Sequence, residues 1–364
     1  MKILIKKVIE TINEYFLPYV SLKHIRLFNF GLATISLPNF ESLNSNTRIF
    51  GGVNNRSTTE SKIYRLLKNE TMRNIFVKIL KGLGLVTPES FVNIDFSTFT
   101  LGWKHKEFQV LTFGLQTFLG KAISLYFDVI TYPIKVPGSQ NIFIIGTIKR
   151  FGKVFGLYPI FVLNRGFAIP VIIKFFIEEG ITYCVRSKSG KTVTIVSMNN
   201  FKDIEEIDRL IKAKHIREKD MMVKVYGKPM RLVISDKEGK DKEPWYILTN
   251  DTYSPRKKIL ETYYYRFEIE ETFKDLKHLK NLKHLQVRTE KSFRTVMWFM
   301  ILGCWLAYFT QFIQEKTKRG VKIIYQTVKV NSHKALSFFR SFFEGILKVF
   351  YVLHTYLTRK TRFR

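Results

Sequence analysis

Tyr263, Arg266, Glu270 and Lys277 are spaced so that one helix brings all four to a single edge. They lie in Glu261 to Leu279, ETYYYRFEIEETFKDLKHL, which holds no Gly or Pro and runs on into NLKHLQ, so one long helix is expected. At about 100° per residue, with Arg266 at zero, Tyr263 falls near +60°, Glu270 near +40° and Lys277 near +20°. Ile269, Phe273 and Leu276 fall at roughly −60°, −20° and −80°, which sets an apolar stripe beside the polar one. A carboxylate held between Arg and Lys at the rim of a packed face has the chemistry to take a metal ion while its cationic neighbours take a phosphate. The plainer alternative is a solvated helix with one Arg266–Glu270 i,i+4 pair, an arrangement that is common and weak.

Asp95 is the second candidate. It follows an apolar run in VNIDFSTF, and a strand carboxylate in a central sheet is costly to bury unless something pairs with it. A metal ion is one such partner; an ordinary hydrogen-bonding role is the alternative. The surrounding elements decide which residues it can meet. SFVNIDFSTF, EFQVLTFGL and AISLYFDVI are β-rich runs with short connections, which predicts an antiparallel meander. GSQNIFIIGTIKRF reads as a helix, and LYPIFVL as an apolar strand suited to a sheet interior. Asn164, Arg165 and Gly166 follow, then an apolar helix, FAIPVIIKFFIEEG, closed by Gly180. Three strands, a helix, a strand and a helix is the order of an α/β RNase H-like core. In that layout a carboxylate on the first strand, another at the end of the fourth and a third on a later helix converge on one site.

The rest of the chain frames this core. Residues 1–88 read as a helical region. In it, Ser57 and Glu60 have capping-box spacing ahead of SKIYRLLKN, whose Lys62 and Arg65 face away from Ile63, Leu66 and Leu67. Such a helix suits a DNA groove, and a solvated basic face is the alternative. The core is expected over 89–180 and again over 251–315, with a β-rich insertion at 181–250 before the last catalytic helix and a basic helical tail at 316–364. Within the insertion, Asn200 to Asp220 reads as a charged linker. Trp245, near its end, is suited either to the core or to stacking on an unpaired base.

Bulk composition narrows the partners. The chain has 364 residues, and 60 Lys+Arg against 30 Asp+Glu leave +30, which points to a polyanion, nucleic acid first. Hydrophobic residues at 46% exclude a disordered chain. Two cysteines exclude a disulfide framework and fit a cytoplasmic protein. Thr295 to Ile313 is apolar enough for a membrane span, but its polar residues and the lack of a second such segment favour a buried core helix, hence no membrane.

These blocks resemble an insertion-sequence transposase of the DDE class, in the group carrying Tyr-x2-Arg-x3-Glu-x6-Lys around the third acidic residue. Tyr263, Arg266, Glu270 and Lys277 match that spacing, and IDFSTF, KAISLYFDV, LNRGF, VRSK and PWYILTN precede them in the family's order. The resemblance spans roughly residues 56–312. It implies metal-dependent strand cleavage and transfer at transposon ends, with two divalent metals, Mg²⁺ being the expected ion. Asp95 and Glu270 would be metal ligands, and Arg266 and Lys277 would grip DNA phosphate beside Tyr263. The implied partners are transposon terminal repeats and target DNA, with a homodimer in a synaptic complex.

One residue departs from the pattern. The second acidic position falls on Asn164, and a neutral amide removes a full negative charge from the site. Impaired catalysis is the expectation, and a catalytically inactive DNA-binding relic of such an element is the alternative. Asp128, on the third predicted strand, is a weaker substitute because the family places no ligand there.

Overall fold

A computed structural model describes residues 86–100, 107–118, 120–132, 139–187, 192–197, 200–206, 220–225, 228–235, 244–279, 289–294, 296–298 and 300–301. The readings for Lys62, Arg65, the rest of the first 85 residues, the tail from 316 and most of the apolar 295–313 segment lie outside these residues.

Among the described residues ten strands form one sheet. They are β1 (Phe91–Thr100), β2 (Glu107–Leu115), β3 (Ile123–Tyr132), β4 (Ile160–Leu163), β5 (Tyr183–Ser187), β6 (Thr192–Ser197), β7 (Asn200–Glu206), β8 (Asp220–Val225), β9 (Lys228–Ile234) and β10 (Tyr246–Thr249). Their order across the sheet is β3-β2-β1-β4-β5-β10-β9-β8-β6-β7. The meander β1-β2-β3 is antiparallel, as its sequence predicts, while β4 runs parallel to both β1 and β5. Because β10 pairs with β5, the sheet continues unbroken from β5 to strands β10, β9, β8, β6 and β7.

The α-helices packed on the core of this sheet include α1 (Ser139–Phe155), α2 (Pro170–Glu178), α3 (Arg256–Tyr264) and α4 (Glu268–Leu279). Alternation along β1 assigns its two faces. Its even positions face α1, where Phe96 meets Phe143, and Phe113 of β2 stacks on Phe151 at 4.8 Å. Phe161 of β4 reaches Phe176 of α2 on that same side. Its odd positions, Asn93, Asp95, Ser97 and Phe99, lie under α3 and α4. Three polar residues in a row on a buried face are the anomaly of this sheet, since each must find a partner there.

The expected apolar stripe is buried: Ile269, Phe273 and Leu276 are all in the core, each contributing about 1.5–3 kcal/mol by leaving water. Val296, Met297, Trp298, Met300 and Ile301, from the start of the apolar 295–313 segment, are core residues as well. Among the described residues no helix is long and apolar enough to cross a membrane.

Two local expectations are corrected. The single helix over Glu261–Leu279 is interrupted by a 3-10 turn, Tyr265–Phe267. The cause is tertiary: Gln116 Nε2 donates to the Thr262 carbonyl, the acceptor that Arg266 N–H would use in an unbroken helix, and Asn93 Nδ2 donates to the Tyr265 carbonyl. The charged linker beginning at Asn200 is strand β7 as far as Glu206, antiparallel to β6 at the end of the sheet. Edge strands tolerate, and often carry, the charged residues that make this segment read as a linker.

Candidate active site

Parallel register builds the site. Ile94 of β1 is level with Leu163 of β4, and Leu163 with Val185 of β5. The next residue on each strand is therefore Asp95, Asn164 and Arg186, three polar side chains in a row across adjacent parallel strands, on the face covered by α3 and α4. The interruption at Tyr265–Phe267 then sets Arg266 over this row.

Asp95 is 7% exposed, and each of its oxygens has a partner. Oδ1 accepts from Asn164 Nδ2 at 2.5 Å and from the Phe96 backbone N–H at 2.8 Å. Oδ2 pairs with Arg266 Nη1 at 3.2 Å. Arg266 reaches Glu270 Oε1 with its other terminal nitrogen, at 2.5 Å, and lies over the Tyr263 ring at 5.8 Å. Burial pushes the Asp95 carboxyl up to about 6, against the opposing pull of Arg266 and its hydrogen bonds. Burial works against the Arg266 charge, yet Tyr263, Glu270 and Asp95 outweigh it and raise the guanidinium further above its ordinary value.

Asn164 is fixed from both ends of its amide. It caps the 3-10 turn Arg165–Phe167, accepting from Gly166 N at 2.7 Å through Oδ1, which leaves Nδ2 to face Asp95. The orientation is dictated by chemistry, because reversal would set donor against donor at Gly166 and acceptor against acceptor at Asp95.

Beside this cluster is an open cavity of about 330 Å³ lined by Asn164, Arg165, Gly166, Arg186, Tyr263, Arg266 and Glu270. Three guanidiniums thus border a space with one carboxylate on its rim, an arrangement suited to phosphate oxygens. Arg165 and Arg186 are not singled out by sequence reasoning. Their signal is membership of the blocks LNRGF and VRSK that carry the family resemblance, Arg165 directly following Asn164 and Arg186 lying in the strand beside it.

The structure brings Asp95, Asn164, Arg266 and Glu270 together, with Tyr263 adjoining, but it sets Lys277 apart. The Lys277 ammonium lies 5.2 Å from the centre of the Phe99 ring. Phe99 is four residues beyond Asp95, about 13 Å along β1. Asp128 is not available as a substitute ligand: it is buried and held by Arg150, Arg294 and Thr147. Trp245 is half-buried and packs edge-on against Tyr263 with ring centres 5.3 Å apart.

Tested against the two divalent ions that the resemblance implies, this donor set does not fit. Both Asp95 oxygens are engaged, the Asn164 oxygen caps a turn, and among the described residues no three His, Cys, Asp or Glu side chains gather as a metal would need.

Comparison with known proteins bears on the same stretch. Residues 157–306 match the transposase DDE domain. The matched span holds Asn164, Arg186, Tyr263, Arg266, Glu270 and Lys277, and it begins after β1–β3. The resemblance to DDE transposases therefore stands on a family match as well as on the order of blocks. Among solved structures, a piggyBac transposase synaptic complex with hairpin DNA is similar, at 13% identity and a TM-score of 0.41. That similarity covers 77% of this chain and 56% of that one. No curated protein matches.

Proposed function

We propose that this chain is a DDE-class transposase in which transposon-end DNA binding is retained and strand cleavage is impaired by the amide at position 164. One observation carries the reading. At the end of β4, where the family's second carboxylate would stand beside Asp95, Asn164 offers Asp95 a hydrogen-bond donor instead of a second negative charge.

Several features support the class. A β3-β2-β1-β4-β5 order, with β1, β4 and β5 parallel and helices on both faces, is what an RNase H-like core requires. In this reading Asp95 and Glu270 are the remaining acidic residues of the site, and Mg²⁺ would be the ion a complete site takes. Arg165 and Arg186, for which no described carboxylate serves as ion-pair partner, hold DNA phosphate with Arg266, and Tyr263 supports Arg266 from below. Lys277, further along α4, contacts the backbone at a more distant phosphate. The proposal extends to residues 1–88, with Lys62 and Arg65, as a DNA-binding region, to 181–250 as an insertion in the core, and to 316–364 as a basic tail. It places the protein in the cytoplasm, acting as a homodimer on two transposon ends.

The test is strand cleavage of a duplex carrying the element's terminal repeat, with Mg²⁺, by the native chain and by Asn164→Asp. The native chain should bind the duplex and cut it poorly, and the variant should cut it. Efficient cutting by the native chain, unchanged by the substitution, overturns the reading. If both proteins bind and neither cuts, the chain is a DNA-binding relic.

A further inference from the structure

We propose that the Asp95–Asn164–Arg266–Glu270 cluster is closed to divalent cations, its charge being balanced by the Asn164 amide and the Arg266 guanidinium, and that restoring Asp at 164 makes the site dependent on a cation. The proposal deepens the reading of this site given above, and it rests on that reading only for the purpose of the site, since its test is made on the metal alone.

Hydrogen-bond inventory supplies the argument. A cation bridging Asp95 to residue 164 needs acceptor atoms aimed at it from both sides. Asp95 Oδ1 already accepts two N–H groups, and Oδ2 accepts Arg266. Asn164 aims a donor at the place where a cation would sit. Turning the amide over would release Oδ1 from Gly166 and drive Nδ2 against the Gly166 N–H at the 2.7 Å now occupied by a hydrogen bond. Glu270 is half-exposed and tied to Arg266, so a cation between it and Asp95 must first displace a guanidinium that bonds to both. Magnesium sheds its water reluctantly and takes a strict octahedron of short oxygen contacts, so a site whose oxygens are already committed offers it little.

The same geometry states what one exchange does. Asp at 164 would keep one oxygen on Gly166 and bring the other to Asp95 Oδ1, where the amide nitrogen now lies at 2.5 Å. Two carboxylate oxygens at that spacing repel, and a divalent cation relieves the repulsion. A favourable contact without metal thereby becomes an unfavourable one that metal repairs.

Thermal unfolding of the full chain, in EDTA and in MgCl₂ or MnCl₂, tests this for the native protein and Asn164→Asp. The native Tm should be the same in every condition. The variant should melt lower than the native chain in EDTA and rise by roughly 2 °C once the metal is about tenfold above its dissociation constant. A native Tm that rises with metal as much as the variant's overturns the proposal, and so does a variant that ignores metal. Should the variant fail to fold in EDTA, calorimetric titration of the native chain with MnCl₂ decides. Saturable uptake that disappears in Glu270→Gln refutes the closed site, and no saturable uptake upholds it. Duplex binding measured in the same buffers separates the two ideas. Its absence defeats the proposed function and leaves the metal readout intact.

Discussion

Glu268 should hold the site's helix to the sheet, and its removal is a stringent test of how α4 is placed. The side chain is fully buried at the start of α4, two residues before Glu270. Its carboxylate accepts from the Thr117 N–H at 2.9 Å and the Gly120 N–H at 2.8 Å, in the connection between β2 and β3. Its own carbonyl accepts from Ala122 N–H at 3.2 Å, so the residue joins helix to hairpin twice. Hydrogen bonds to a charged group contribute about 1.5–3 kcal/mol each. Because Thr117 and Gly120 are half-buried, water can satisfy part of what is lost, and the low end applies. These two backbone bonds alone put Glu268→Ala at about 3 kcal/mol of destabilisation, and the Thr117 hydroxyl, 3.4 Å from the carboxylate, adds to that loss. Glu268→Gln keeps one acceptor oxygen and turns an NH₂ toward a backbone donor, so about half that loss is expected. Urea unfolding measures both, as a fall in midpoint at constant m-value. An alanine variant within about 0.5 kcal/mol of the native chain, the range of ordinary surface changes, would refute this account of how α4 is anchored.

Other predictions address the cavity and the buried thiol. Arg165→Ala and Arg186→Ala should each lower the slope of log Kobs against log salt for duplex binding by about 0.9, one phosphate's worth; an unchanged slope would remove that arginine from the interface. Burial pushes the Cys184 thiol up to about 12, so iodoacetamide at neutral pH should leave it unlabelled in the folded chain and label it after unfolding. Mass spectrometry reads the difference, and rapid labelling of folded protein would contradict the packing of Cys184 beneath α3.

Much of the core is legible in the sequence because the relevant signals are local. Alternating and apolar runs mark β1 to β4, and the repeat of Ile144, Ile148, Phe151 and Phe155 marks α1, whose buried face these residues form. Asp95 and Glu270 could be singled out as well, through residue type and order along the chain, while Asn164 is marked only by the family resemblance, as the position of its second acidic residue. Three features were hidden for physical reasons. The turn at Tyr265–Phe267 depends on Gln116 and Asn93, well over a hundred residues away in sequence, capturing carbonyls of a segment that is otherwise a good helix. Strand β7 is charged because it lies at an edge, so its composition imitates a linker. Arg186 becomes a neighbour of Asn164 only through the parallel register of β4 with β5, a relation that neither segment encodes alone. The same holds for Asp128. A buried strand carboxylate looks like a spare ligand until Arg150 and Arg294, from two separate helical segments, are found to neutralise it.

The most direct measurement of the central claim is an anomalous-scattering map from crystals of the native chain grown with MnCl₂. The account predicts no manganese peak between Asp95, residue 164 and Glu270, with the Asn164 amide still donating to Asp95 and Arg266 still joining Asp95 to Glu270. A manganese ion coordinated by Asp95, with Asn164 turned to present its oxygen or Arg266 displaced, would contradict it.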